Sequence, residues 1–320
     1  MQQPTDAPGG ELEARRLTLY TCGRGYLVDH LSAHAFLAVR QHFWDIGGTP
    51  TEFELRPKRN TQDDPFDEYL IANVFAALPG IGCAKSPGPL ISPDMILYRT
   101  HEGRAGEFPG GYPGVATMLG IEVKKLERTV QGTVARASGL DYNTTPPCGT
   151  VRVYDKREKP LDVRCFYLFA CLETTLTGKR IVSALALVDG NVLNADFEFY
   201  LSIVGERTKE INLGSYADGA NRARPMLIFS NPLGIKDLDR HVTLVSPERE
   251  LTDRHGSLAL THSLVRNAHG RATPFFCYRL ANDVPSGWTV HTLVDPFPTP
   301  EREERTQPRG RFKLPFEVRA

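Results

Sequence analysis

Between Tyr26 and Trp44 apolar residues recur at helical spacing: Leu27, Leu31, Phe36, Leu37, Val39 and Phe43. The spacing predicts an amphipathic helix stopped by Gly47 and Gly48. A polar loop, Arg56 to Asp63, leads into a second helix from Pro65 to Leu78. There Asp64 suits the N-cap, Pro65 the first helical position and Asp67 the third, where an acid meets the positive helix end. Pro79 and Gly80 end that helix. The stretch 80–93, with three prolines and three glycines, reads as loop. Met95 to Tyr98 then reads as a buried strand and Leu119 to Leu126 as a second, with turn-rich residues 102–114 between them. Thr150 to Tyr154 is a short strand. Val163 to Leu172 and Ile181 to Val188 are continuous apolar runs, expected as central strands buried on both faces. Asp196 to Val204 fits a helix packed on that sheet, and Pro225 to Phe229 and Val242 to Val245 fit later strands. The charged, proline-bearing end, Pro298 to Ala320, reads as a surface tail.

These elements predict an α/β protein. The expected organisation is a flexible leader (1–14), one domain (15–300) and a charged tail (301–320). A chain of 320 residues and 35.6 kDa, 41% hydrophobic and 24% charged, has the makings of a sizeable core. Charge changes the picture only when divided. The total is 38 basic against 38 acidic side chains. Residues 1–95 carry 8 basic and 12 acidic, residues 96–180 carry 13 and 9, and residues 181–320 carry 17 of each. A polycationic tail is excluded, and a basic middle segment is not. The six cysteines (Cys22, Cys83, Cys148, Cys165, Cys171, Cys277) lack zinc spacing and read as reduced, mostly buried thiols. With neither an apolar run of membrane-spanning length nor a signal-peptide core, a cytoplasmic location is expected. His30, His34 and His42 lie along the first helix, but without a carboxylate in metal-binding arrangement they read as packing or surface histidines.

The chemistry concentrates at Pro93-Asp94, opening one strand, and Glu122-Val123-Lys124 on the next. Residues two apart on a strand share a face, so Glu122 and Lys124 lie together while Val123 points into the core. If Asp94 starts the neighbouring strand, its carboxylate can reach Glu122 on that face. Two close carboxylates repel and their pKa values rise. A divalent cation between them removes the penalty and makes an oxygen-lined site suited to Mg²⁺. Lys124 beside it would orient attacking water and stabilise transition-state charge. The alternative is that Asp94 caps a turn while Glu122 and Lys124 form a solvated strand face.

The segments SPDMILYR and GIEVKKLE resemble the PD-(D/E)XK nuclease superfamily and, within it, the type II restriction endonucleases. The resemblance implies Asp94 and Glu122 as metal ligands, Lys124 as the catalytic lysine, Mg²⁺ as cofactor and a restriction-endonuclease-like core at about residues 60–205, a mixed central β-sheet flanked by helices. It further implies sequence-specific cleavage of double-stranded DNA leaving 5′-phosphates, by a homodimer accompanied by a DNA methyltransferase of the same specificity. The 27 residues between Asp94 and Glu122 are long for that pattern. Members of that superfamily often add an acid from a preceding helix, for which Asp67 and Glu68 qualify by position, although capping of the helix end accounts for Asp67 without catalysis. Lys156, Arg157, Lys159 and Arg164, and the loop Gly214 to Pro225 with Asn221, Arg222 and Arg224, are candidates for DNA contact, phosphate positioning being commoner than base readout. The competing functions are a repair or recombination nuclease of the same superfamily, a non-catalytic DNA-binding protein on that fold, and an unrelated soluble α/β protein that would not retain DNA.

Overall fold

The computed structural model describes residues 31–60, 63–88, 91–100, 114–128, 134–136, 149–191, 242–268, 271–293 and 307–318. Helix α1 is Leu31–Phe43. Helix α2, Pro65–Tyr69, begins where the side chain of Asp64 accepts from Phe66 N, and it widens into a π-helical turn, Leu70–Phe75. At that widening the Asn73 side-chain amide donates to Tyr69 O at 3.0 Å. The strands are β1 (Ile81–Lys85), β2 (Met95–Arg99), β3 (Met118–Arg128), β4 (Val134–Arg136), β5 (Thr150–Tyr154), β6 (Pro160–Thr174) and β7 (Arg180–Asp189). They continue with β8 (Val242–Ser246), a short helix α3 (Leu251–Arg254), β9 (Leu258–Ala268), β10 (Arg271–Leu280), β11 (His291–Leu293) and β12 (Gln307–Lys313).

The main sheet runs β1-β2-β3-β6-β7-β8-β10-β9-β11. It is mixed: β3–β6, β7–β8 and β9–β11 are parallel, and the remaining pairs on this path are antiparallel. The fifteen-residue β6 belongs to two layers. Its first residues pair with β5, and from Gly120↔Cys165 onward it pairs with β3. Strand periodicity sorts the apolar side chains onto two faces. Met95 and Leu97, Leu119, Ile121 and Val123, and Phe166, Leu168 and Ala170 face α1 and α2. Ile96, Tyr98, Cys165, Tyr167 and Phe169 face the β5–β12 layer.

The expected central strands are where the sequence places them, and the class is mixed α/β with a large sheet. Four expectations change. Residues 81–85, read as loop, form β1, antiparallel to β2; all three prolines counted in that stretch (Pro87, Pro89, Pro93) follow the strand. The end of the chain is not a surface tail. β12 pairs in parallel with β5, and Phe312, Leu314, Phe316 and Val318 are buried in the core. Their period of two outweighs the charged residues between them. Finally, helices α1 and α2 both cover the same sheet face; on the opposite face the described covering layer is β5 with β12. Helix α1 is also less amphipathic than expected, being buried continuously from Leu31 to Arg40. The leader 1–14, the segments 102–113, 196–204 and 225–229, and His30 lie outside the described residues. Among the described residues no helix is long and apolar enough to cross a membrane.

Candidate active site

Strand β2 pairs with β3 only as far as Met95↔Ile121. On the same flank of β3 the next partner is β4, which begins pairing at Leu126. Residues 122–125 of β3 therefore border a notch in the sheet. Asp94, immediately before β2, fills part of it: its Oδ2 accepts from Val123 N at 2.7 Å, standing in for the missing strand bond. Both expected strand relations hold. Val123 joins the helix-side core, and Glu122 and Lys124 lie together on the opposite face. They are not a solvated face, because Glu122 is 8% exposed and Lys124 6%. Alongside on β6 stand Tyr167 and Phe169, both fully buried.

In this apolar setting the charges are met by specific partners. Lys124 Nζ donates to Glu122 Oε1 at 2.6 Å, and Ser92 Oγ donates to Glu122 Oε2 at 2.6 Å. Burial opposes the charge of Lys124, but Glu122, Asp94 and Asp67 together raise its pKa. Burial, then the negative charge of Glu122, push Asp94 up to about 8, against the opposing pull of Lys124 and the Val123 N–H. The sequence reading had Asp94 reaching Glu122. The two carboxylates do feel each other, but the hydrogen bond of Asp94 goes to the β3 backbone.

The question of the helix acid resolves by direction. Glu68 turns away, pairing with Arg56 at 2.5 Å and with Lys85 at 2.9 Å. Asp67 turns inward: its Oδ1 is buried without a hydrogen-bond partner. Its pKa is raised well above the ordinary range, by burial first and then by Asp94 and Asp64. Asp64 both caps α2 and forms an ion pair with Lys125 of β3, so the helix end bearing Asp67 is tied to the strand bearing Glu122.

The donor chemistry suits a hard cation: Asp94, Glu122 and the orphaned Asp67 oxygen are all carboxylate. Among the described residues no three His, Cys, Asp or Glu side chains are gathered closely enough to enclose a metal ion by themselves. Asp94 and Glu122 would be its ligands with water completing the shell, a common arrangement for Mg²⁺. In the present arrangement Lys124 supplies the positive charge that Glu122 requires.

Ser92 escaped sequence reasoning, since its partner lies thirty positions away. The one clue was its place two residues before Asp94. Of the candidate DNA contacts, Lys156, Arg157 and Lys159 stand exposed on the β5–β6 turn, Arg157 paired with Glu317. Arg164 is engaged by Asp189 and Glu248 and lies over the Phe166 ring, a structural role. The loop 214–225 lies outside the described residues. On the helix side, a groove of about 520 Å³ runs past Lys125 between Arg56, Lys58, Lys179 and Arg180, with Glu54 and Glu127 among its lining. Much of its positive charge is met by Asp63, Glu68, Asp64 and Glu127. His34 and His42 behave as packing residues, His34 edge-on to His255 and His42 hydrogen-bonded to Tyr69. Cys165, Cys171 and Cys277 are buried and Cys83 partly buried, with no disulfide between them, while Cys22 and Cys148 lie outside the described residues. Compared with protein-family models, with curated proteins and with solved structures, the chain matches none.

Proposed function

We propose that the chain is a Mg²⁺-dependent endonuclease of the type II restriction class, built on a restriction-endonuclease-like core and acting on double-stranded DNA. The observation that carries this reading is the notch beside β3, where Asp94, Glu122 and Lys124 converge in an apolar wall. The order of helix, strand after Asp94, and strand with Glu122 and Lys124 is the order that the resemblance implies. Asp94 and Glu122 hold the cation, and Asp67 adds negative charge from the end of α2. A bound Mg²⁺ would polarise a phosphoryl oxygen and lower the pKa of its water. Lys124, charged and desolvated, orients the nucleophile and offsets charge developing on the phosphorus oxygens. Cleavage leaves 5′-phosphates. A palindromic duplex presents two scissile phosphates related by two-fold symmetry, which a homodimer matches. A companion methyltransferase of the same specificity would protect the host DNA in the cytoplasm.

The test is cleavage of phage DNA in Mg²⁺. Discrete fragments that vanish in EDTA are expected. Asp94→Asn, Glu122→Gln and Lys124→Ala should each lower the rate by about 10²–10⁴-fold. Smearing or structure-selective cutting would favour a repair or recombination enzyme. Uncut DNA for wild type and Lys124→Ala alike, across several divalent ions, would remove the catalytic reading, and DNA retention without cleavage would then point to a binding protein.

A further inference from the structure

Glu122 has one donor on each oxygen, and the two donors are unlike. Lys124 on Oε1 is charged and carried by a flexible four-carbon stem. Ser92 on Oε2 is neutral, short and buried. Its backbone belongs to the turn entering β2, and that turn is wedged in place. The ring of the next residue, Pro93, rests over Gly120 of β3, where an added Cβ would stand 3.3 Å from Pro93 Cγ and 3.0 Å from Val151 Cγ2. Ser92 thus holds Glu122 through a short side chain on a packed turn, whereas Lys124 reaches it through a four-carbon stem.

A divalent cation at Glu122 repels the ammonium and competes with it for the same carboxylate. Ser92 has no charge to be repelled. We propose that Ser92 is a positioning residue for Glu122, the fixed donor that keeps the carboxylate aligned with Asp94 while Lys124 yields Oε1 to a divalent cation. Hydrogen bonds to metal-ligating carboxylates set ligand orientation and hence affinity. The inference rests on reading Asp94 and Glu122 as cation ligands, and it deepens that reading by assigning the anchor of the site.

The experiment is Mn²⁺ binding to the full chain by titration calorimetry, without DNA, for wild type, Ser92→Ala, Ser92→Cys and Ser92→Thr. The alanine and cysteine variants should bind Mn²⁺ about 10–100-fold more weakly, and threonine, which keeps the hydroxyl, should bind much as wild type does. Alanine is smaller than serine and cysteine a larger, weaker donor, so a loss shared by both and absent from threonine reports the hydroxyl's hydrogen bond and not an empty site. In cleavage assays the same variants should need correspondingly more Mg²⁺ for half-maximal rate while keeping their rate at saturation, which a merely structural defect would lower at every concentration. Equal Mn²⁺ affinity in wild type and Ser92→Ala overturns the proposal, as does a wild type that binds no Mn²⁺. A wild type whose Mn²⁺ affinity depends on Ser92 yet cuts no DNA leaves the anchor standing and removes the nuclease instead.

Discussion

At the scale of single residues, the Glu122–Lys124 pair is both the proposed machinery and a stability risk. Removing one partner of a buried pair strands the other charge, so Lys124→Ala should cost about 3–5 kcal/mol. The double variant Glu122→Gln/Lys124→Met should cost less than the two single losses summed, as a urea double-mutant cycle will read. Asp94 adds a pH dependence to the metal-free protein. Its carboxyl titrates near 4 when unfolded and up to about 8 when folded. Between those values the folded state binds the extra proton, so stability is full below the lower value, falls as pH rises through the window, and is level above it. The raised Asp67 acts in the same direction. Chemical denaturation in EDTA across this window should show the fall, and Asp94→Asn should flatten it. An unchanged slope in that variant would contradict the burial of the charge.

At the scale of elements, what could be read from the sequence was whatever local pattern dominates. The apolar runs of β6 and β7, the Asp64 cap, and the spacing that puts Glu122 and Lys124 on one face need no distant partner to be recognised. The π turn after Tyr69 and the Ser92–Glu122 bond depend on packing that no short window contains. β1 and β12 were hidden differently, since flanking prolines and charges outvoted alternations of only a few residues. For β12 that alternation carries much of the burial. Phe312 is fully buried, and Phe316 packs on Tyr98 with ring centroids 4.5 Å apart. Phe312→Ala should therefore destabilise by about 3–5 kcal/mol in urea unfolding. A surface tail would lose almost nothing.

At the scale of the whole molecule, the zero net charge coexists with a basic middle segment, and the structure places the cations of that segment unevenly. Some are spent on structural pairs, as Arg164 and Lys125 are, while others stand on the β5–β6 turn. The long β6 unites the two layers: it backs the notch through β3 and seats β5, which in turn seats β12. This closure has a consequence in time. The ribosome makes residues 307–318 after every strand they cover, so until they emerge Val151, Val163 and Tyr167 lack the side chains that shield them. A nascent chain must therefore leave that apolar sheet face uncovered until residues 307–318 emerge, a state prone to aggregation and suited to chaperone capture. Made after the other described strands, β12 acts as the latch on the layer that lies over the sheet face carrying Tyr167 and Phe169, the face on which Glu122 and Lys124 also stand.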